Sequence, residues 1–331
     1  MRSTILHALC NCNWVFVVGV FLQNCPASVT TGLRSVTGQL HGNWGEDDEQ
    51  MADARHSPTV RRRRLARELR KLREGAGLTA DRVTRKLEWA DGKVNRLERA
   101  LAVRPRVSDI KALLDVYDVA DEARREALFT LTREARQRGW WTAYGALEDN
   151  YVEFEAEATK IFSFQPLVIP GLLQTPAYAR ALHRGWLMTD EQKIERLIQL
   201  RMERQKILDH EQPPFLWAVI DECAVIRSFG SADAKAEQLQ RLIDTERLEH
   251  ITVQIMPMTA DPHPGLSGSF VILDYEEDPS LVYREFRPES LYIEGQKEVE
   301  ERRRVFQHLS ATALGPNESI TYLRRLAEQS E

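Results

Sequence analysis

Cysteine is scarce. The 331 residues hold four: Cys10, Cys12 and Cys25 near the start, and Cys223 alone. Four such residues make no disulfide framework, and Cys10-x-Cys12 lacks the second ligand pair of a zinc site. No metal or cofactor is expected. Long apolar runs are missing too. Trp14 to Leu22 is the length of a signal-peptide core and well short of the roughly 20 residues that span a bilayer. Only Arg2 precedes it, and Cys25-Pro26-Ala27 makes a poor cleavage site. No membrane partner is therefore expected, and the chain reads as cytoplasmic. There is no internal repeat, no heptad array and no phosphate-cradling Gly motif. Met51-Ala-Asp-Ala-Arg is a natural start, so residues 1–57 are expected to be a disordered tail or an over-extended reading frame.

The charge is strongly partitioned. The chain carries a net −5, yet residues 60–106 hold sixteen Arg and Lys against six Asp and Glu. A segment of net +10 on an acidic protein points to a separate module that binds a polyanion. Leu65, Leu69 and Leu72 recur at helical intervals until Gly75 and Gly77. Thr79 is placed to cap a second helix, with Asp81 in its first turn and Val83 and Leu87 on its apolar side. Glu88-Trp89-Ala90 is a tight connection. Asp91 is expected to cap a third helix that turns Val94 and Leu97 inward and Lys93, Asn95 and Arg96 outward. Ser108 is expected to cap a fourth, with Ile110, Leu113 and Leu114 inside. Short helices joined by a tight turn suit a reader of the major groove of double-stranded DNA.

The stretch LRKLREGAGLTADRVTRKLEWADGKVNRLERA resembles the Cro/C1-type (XRE-like) helix-turn-helix of phage repressors and bacterial regulators. Residues 140–328 resemble the uncharacterised, DUF5753-like C-terminal domain of many actinomycete regulators. That likeness rests on GWW (Gly139 to Trp141), FEAEA, IPGLLQTPAYARAL, LWAVIDE and the stretch from VQIMP to GSFVIL. The first resemblance implies a recognition helix over about 91–99. DNA contacts are then expected from Thr79, Ala80, Asp91, Gly92, Lys93, Asn95 and Arg96, with Lys93 on phosphate. It also implies an ion pair between Arg73 and Glu98. The second implies a small acidic protein as a partner. Two departures from the helix-turn-helix pattern stand out: Thr84 where a small residue is usual, and Glu88 where the turn usually has Gly. Arg61, Arg62, Arg63 and Arg64 oppose the dipole of the first helix and are expected to form an arm on the DNA backbone.

From Asp121 to Arg138 a helix is expected, with Ala127, Leu128, Leu131 and Ala135 inward, bridging to an apolar plug at Trp140 and Trp141. Beyond it, helices over Glu191–Asp209, Asp233–Glu246 and Gln296–Ala313 alternate with strands over Phe215–Ile220, Ile251–Met256, Ser269–Leu273 and Leu281–Glu285. Arg196, Arg201, Glu203 and Arg204 read as a solvated face. The fold expected is multidomain. An all-α five-helix helix-turn-helix module (58–120) is followed by a helical bridge (121–141) and an α+β domain (142–329). In the last, Thr175-Pro176 opens a helix, and Gln174 and Tyr178 are candidate polar handles of a partner or ligand pocket. Asp221, Glu222, Cys223, His250, Asp261 and His263 match no catalytic spacing, and an enzyme is not expected. The sequence thus reads as a DNA-binding transcriptional regulator whose C-terminal domain senses a ligand, binds a partner or makes a homodimer. The alternatives are an antitoxin-like autoregulator and a DNA-targeted enzyme.

Overall fold

The structure is a computed structural model that describes residues 58–102, 104–137, 151–286 and 289–329. The first 57 residues, with Cys10, Cys12 and Cys25, lie outside the described residues, as does Gly139-Trp140-Trp141.

Five helices come first: α1 (Pro58–Gly75), α2 (Ala80–Lys86), α3 (Lys93–Glu98), α4 (Val107–Val116) and α5 (Glu122–Glu134). They enclose one core of Leu65, Leu69, Val83, Val94, Leu97, Ile110, Leu113, Leu128 and Leu131. Each such side chain, fully buried, stabilises by about 1.5–3 kcal/mol. The segment 121–141, read as a bridge, supplies α5, which packs on α1 and α4 and closes this core. Ala127 is exposed rather than inward. The inward face instead includes Arg125, which donates to Asp115 at 2.7 Å and to the Val119 carbonyl at 3.1 Å. Ser108 does not cap α4. Arg106 holds that position without a side-chain bond, and Ser108 lies exposed in the first turn.

The second part is built on a mixed sheet of β1 (Lys160–Gln165), β2 (Phe215–Asp221), β3 (Ile251–Met256), β4 (Phe270–Asp274), β5 (Leu281–Phe286) and β6 (Glu289–Ile293). The order is β3-β2-β1-β4-β5-β6. β1, β2 and β3 run parallel, and β4, β5 and β6 continue antiparallel. The parallel half needs helical crossovers. α7 (Pro176–Gly185) and α8 (Glu191–Gln205) join β1 to β2, and α9 (Glu222–Ile226) and α10 (Ala232–Asp244) join β2 to β3. α11 (Gln296–Thr312) and α12 (Pro316–Glu328) end the chain's described part. Both faces of the central strands are covered. Alternate residues Leu216, Ala218 and Ile220 meet α7, α10 and α12, while Trp217 and Val219 face α11. That double burial explains the nearly continuous apolar runs of these strands. A short helix, α6 (Tyr151–Ala156), precedes β1.

The two parts meet along α1. Its first turn sends Val60 into the core of the sheet domain, whereas Leu65 and Leu69 belong to the helical core. One helix is thus shared by two cores.

Candidate nucleic-acid interface

Local chemistry sets the geometry of α2 and α3. Thr79 caps α2, its hydroxyl accepting from the Arg82 amide at 3.3 Å. Val83 and Thr84 anchor the helix inward. The chain then turns through Glu88 at φ 53°. The Trp89 amide donates to the Thr84 carbonyl at 3.0 Å and the Glu88 amide to the Arg85 carbonyl at 3.2 Å. This is the left-handed helix ending usually given to Gly, and Glu there costs on the order of 1 kcal/mol.

The start of α3 differs from expectation. Gly92, at φ 75°, occupies the cap position with no side-chain bond, so Asp91 is exposed and caps nothing. A left-handed residue here suits Gly alone among common residues without strain. Lys93 does not project freely either. Its ammonium lies 2.8 Å from Asp109 and 3.8 Å from the centroid of the Trp89 ring. An ammonium held by a carboxylate and an aromatic face fastens α3 to α4 instead of waiting for phosphate. Asn95 and Arg96 are exposed beside buried Val94 and Leu97. Thr79 is exposed at the tip of α2, and Ala80 is half-buried behind it.

Glu98 locks α3 to α1. Arg73 Nε donates to both Glu98 oxygens at 2.8 and 3.0 Å, and Arg73 also reaches the Leu78 carbonyl at 2.7 Å. The Tyr117 hydroxyl adds a bond to Glu98 at 3.2 Å. The hydrogen bond to Glu98 outweighs burial and raises the Arg73 guanidinium above its ordinary value. Burial, reinforced by the Glu98 charge, pushes the Tyr117 phenol well up.

Most of the basic residues of 60–106 fall into two sets. Those on the first half of α1 face the sheet domain. Arg61 lies 2.9 Å from Glu157, Arg64 donates to Asp278 at 2.8 and 2.9 Å, and Arg67 reaches the same carboxylate at 2.8 Å. Arg62 stands 3.8 Å from Glu153, and Arg63 pairs with Glu294 and lies over the Phe154 ring. The expected backbone arm, Arg61 to Arg64, is therefore bound to carboxylates of the same chain. These acids neutralise the cations that would otherwise oppose the helix dipole. Burial works against the Arg64 charge, yet Asp278 and Glu277 raise it overall. Burial also pushes the Glu157 carboxyl up to about 7, against the pull of Arg61 and Arg64.

The second set is Arg82, Arg85 and Lys86 on α2, Arg96 and Arg99 on α3, and Arg104 and Arg106 beyond it. All are exposed, and among the described residues none has a side-chain ion pair. Sequence reasoning did not single out Arg82, Arg85 and Arg99 individually. Their signal was present only as summed charge, because spacing does not tell a paired cation from an unpaired one.

Residues 64–128 match a helix-turn-helix domain. That match begins inside α1, past Val60. Residues 149–325, more than half of the chain, match the domain of unknown function DUF5753. The chain belongs to the DUF5753 family. No curated protein and no solved structure matches it. It therefore joins a DNA-binding helix-turn-helix to a DUF5753 domain made of a mixed six-stranded sheet and helices.

In the DUF5753 domain two of the catalytic candidates, Asp221 and Glu222, are put to structural use. Asp221 caps α9 through the Cys223 amide at 2.9 Å. Glu222 accepts from the Met258 amide and the Tyr322 hydroxyl, each at 2.7 Å. Cys223 sits in α9, and burial with neighbouring Asp221 pushes its thiol up, the reverse of nucleophile activation. His263 packs edge-on to Phe164. Among the described residues no cluster of His, Cys, Asp and Glu is placed to hold a metal, and no helix is long and apolar enough to cross a membrane.

Gln174 and Tyr178 are buried and brace one loop. The Gln174 amide donates to the Ile169 carbonyl at 2.6 Å, and the Tyr178 hydroxyl accepts from the Ile169 amide at 3.1 Å. Arg201 donates to the Gln174 side chain. Arg204 makes a two-pronged bond to buried Glu155 at 2.8 and 3.0 Å. Arg201 and Arg204 thus face inward, which corrects their reading as a solvated face; Arg196 is exposed.

Proposed function

We propose that this protein is a sequence-specific transcriptional regulator of the Cro/C1 type. α3 enters the major groove, and Asn95 and Arg96 read base edges. Asn suits the N6/N7 edge of adenine, and Arg the O6/N7 edge of guanine. Arg82, Arg85 and Lys86 lie on the motif's other helix and suit phosphate contacts that fix register. The DUF5753 domain acts as the sensor that modulates this binding.

The observation that carries the reading is the division of the cations. Those on the first half of α1 are held by carboxylates of the same chain, while Arg82, Arg85 and Lys86 of α2 and Arg96 of α3 stay exposed without ion pairs among the described residues. A surface that keeps unpaired cations beside two short polar-faced helices is an electrostatic footprint for DNA. The test is a genome-wide map of bound DNA. The reading expects a small number of sharp sites that share a motif. Uniform coverage would leave a non-specific polyanion binder and defeat it.

A further inference from the structure

The DUF5753 domain contains a cavity of about 850 Å³ between the sheet and α6, α7 and α8. That lies within the roughly 300–1,000 Å³ typical of small-molecule sites. Its origin is visible in the strand register. Ala218, Ser163 and Val271 stand side by side on β2, β1 and β4, on the face that carries the larger core. Three small side chains at the centre of a sheet leave room above them. Ser163 is buried between Ala218 and Val271 of the adjacent strands, its hydroxyl accepting from the Gln165 side-chain amide at 3.3 Å.

One wall is pre-organised. The loop from Ile169 to Thr175 carries backbone groups that side chains satisfy one by one. Gln205 donates to the carbonyls of Gly171 and Gln174 at 2.8 and 2.7 Å. Gln238 donates to the Leu173 carbonyl and accepts from the Thr175 amide, both at 2.8 Å. A rigid wall lowers the ordering cost of binding. The rim carries exposed apolar side chains. Leu187 is 88% exposed, and its φ of 61° is unusual for a bulky residue.

The lining is apolar along Ile161, Val168, Leu172, Leu197 and Leu200, with Arg201 and Arg204 at its polar part. A guanidinium only donates. The lining carries Lys193, Arg201 and Arg204 against Glu155 and exposed Glu285, so cations are in excess; Arg204 engages buried Glu155 and Arg201 bonds Gln174. A donor-rich end on an apolar chamber fits an apolar body that carries an acceptor group, best met by a carboxylate.

α6 joins this chamber to the DNA-binding module. Tyr151 and Glu155, one turn apart, line the cavity. Glu153 and, just beyond α6, Glu157 face the other way and bind Arg62 and Arg61 of α1, while Phe154 lies under Arg63. A helix of six residues has little stability of its own, so its position is set by what packs on its two sides. We propose that the cavity binds an apolar carboxylic acid and that α6 passes its occupancy to the arginines of α1. This rests on the reading of the DUF5753 domain as the sensor.

The test uses the full chain with sodium decanoate, and 1-decanol as the uncharged control, in titration calorimetry. One decanoate per chain should bind, about tenfold or more tighter than the alcohol, since charge-assisted bonds are the stronger ones. Arg201→Met should remove that preference. Saturating decanoate should then change affinity for the protein's preferred DNA by about fivefold or more, the usual lower range of site-to-site coupling. The Glu153→Gln/Glu157→Gln variant should still bind decanoate but lose the effect on DNA. No decanoate binding, or equal binding of the alcohol, overturns the site. Decanoate binding with unchanged DNA affinity overturns the relay. Absence of any preferred DNA would instead refute the regulator reading, which calorimetry on the cavity does not touch.

Discussion

Replacing Glu98 with Ala removes one partner of a nearly enclosed ion pair. Three hydrogen bonds go with it: those from Arg73 Nε to both oxygens at 2.8 and 3.0 Å, and the Tyr117 hydroxyl bond at 3.2 Å. Breaking a buried pair on one side costs about 3–5 kcal/mol, because the surviving charge is left uncompensated. Arg73 keeps its bond to the Leu78 carbonyl and its side chain is 13% exposed, so water reaches it in part. The lower end, about 3 kcal/mol, is the expected cost. For a helical unit of this size that is a drop of about 12 °C or more in melting temperature. Hydrogen exchange isolates the unit. The amides of Leu69, Val94 and Leu113, whose side chains are fully buried in the helical core, should lose protection equivalent to that free energy. Exchange in β2 and β3 should be much less affected. Glu98→Gln keeps hydrogen-bonding capacity and should cost less than the Ala variant. A double replacement, Arg73→Met with Glu98→Leu, should recover much of the stability, since apolar residues of similar volume often equal a buried pair. Unchanged protection in Glu98→Ala would show that the pair holds nothing together and would refute the reasoning.

The other predictions concern charge and turn geometry. Neutralising Arg82, Arg85 and Lys86 should flatten the salt dependence of DNA binding by about 0.9 for each phosphate left without its cation, measured as the slope of log affinity against log salt. Neutralising Arg61 to Arg64 should leave that slope nearly unchanged and loosen α1 from the sheet domain, read as faster proteolysis between the two. Glu157 holds its proton up to about 7 when folded, above the ordinary 4.5. It therefore contributes stability below the unfolded value, and that contribution is lost as pH rises through about 7. Relative to Glu157→Gln, the protein should lose melting temperature between about pH 5 and 8, and a constant difference would contradict the burial of this carboxyl. Glu88→Gly should stabilise the helical module by up to about 1 kcal/mol by relieving a left-handed residue, and a destabilised variant in urea unfolding would count against that account.

Much of this architecture was legible in the sequence because it is local. Leu65 and Leu69 mark α1 by spacing, Thr79 marks the start of α2, and β-branched runs mark β2 and β3. What escaped was set at long range or within very short elements. β1 was not read as a strand, since Ser163 breaks its apolar run, and only its neighbours on both sides make it central. β6 is an edge strand with the sequence ESLYI, which lacks a strong apolar pattern. α6 is too short to show a period. α12 carried a readable signal, Gly315-Pro316 followed by Ile320 and Leu323, that was overlooked. The pairing of Arg64 with Asp278 spans 214 positions, and no spacing rule reaches that far. For this reason Arg61 to Arg64 looked like a free arm. Lys93 looked like a phosphate contact for a related reason: its partner Asp109 lies on another helix.

The central claim is that α3 reads bases through Asn95 and Arg96. It is tested most directly by selecting bound sequences from a random DNA pool with the native chain and with Arg96→Ala. The account predicts that the variant loses preference at one base pair per half-site and about 1–3 kcal/mol of affinity for the preferred site, with much smaller loss on unrelated DNA. Equal weakening on preferred and unrelated DNA, with the selected motif unchanged, would contradict it and make Arg96 a phosphate contact.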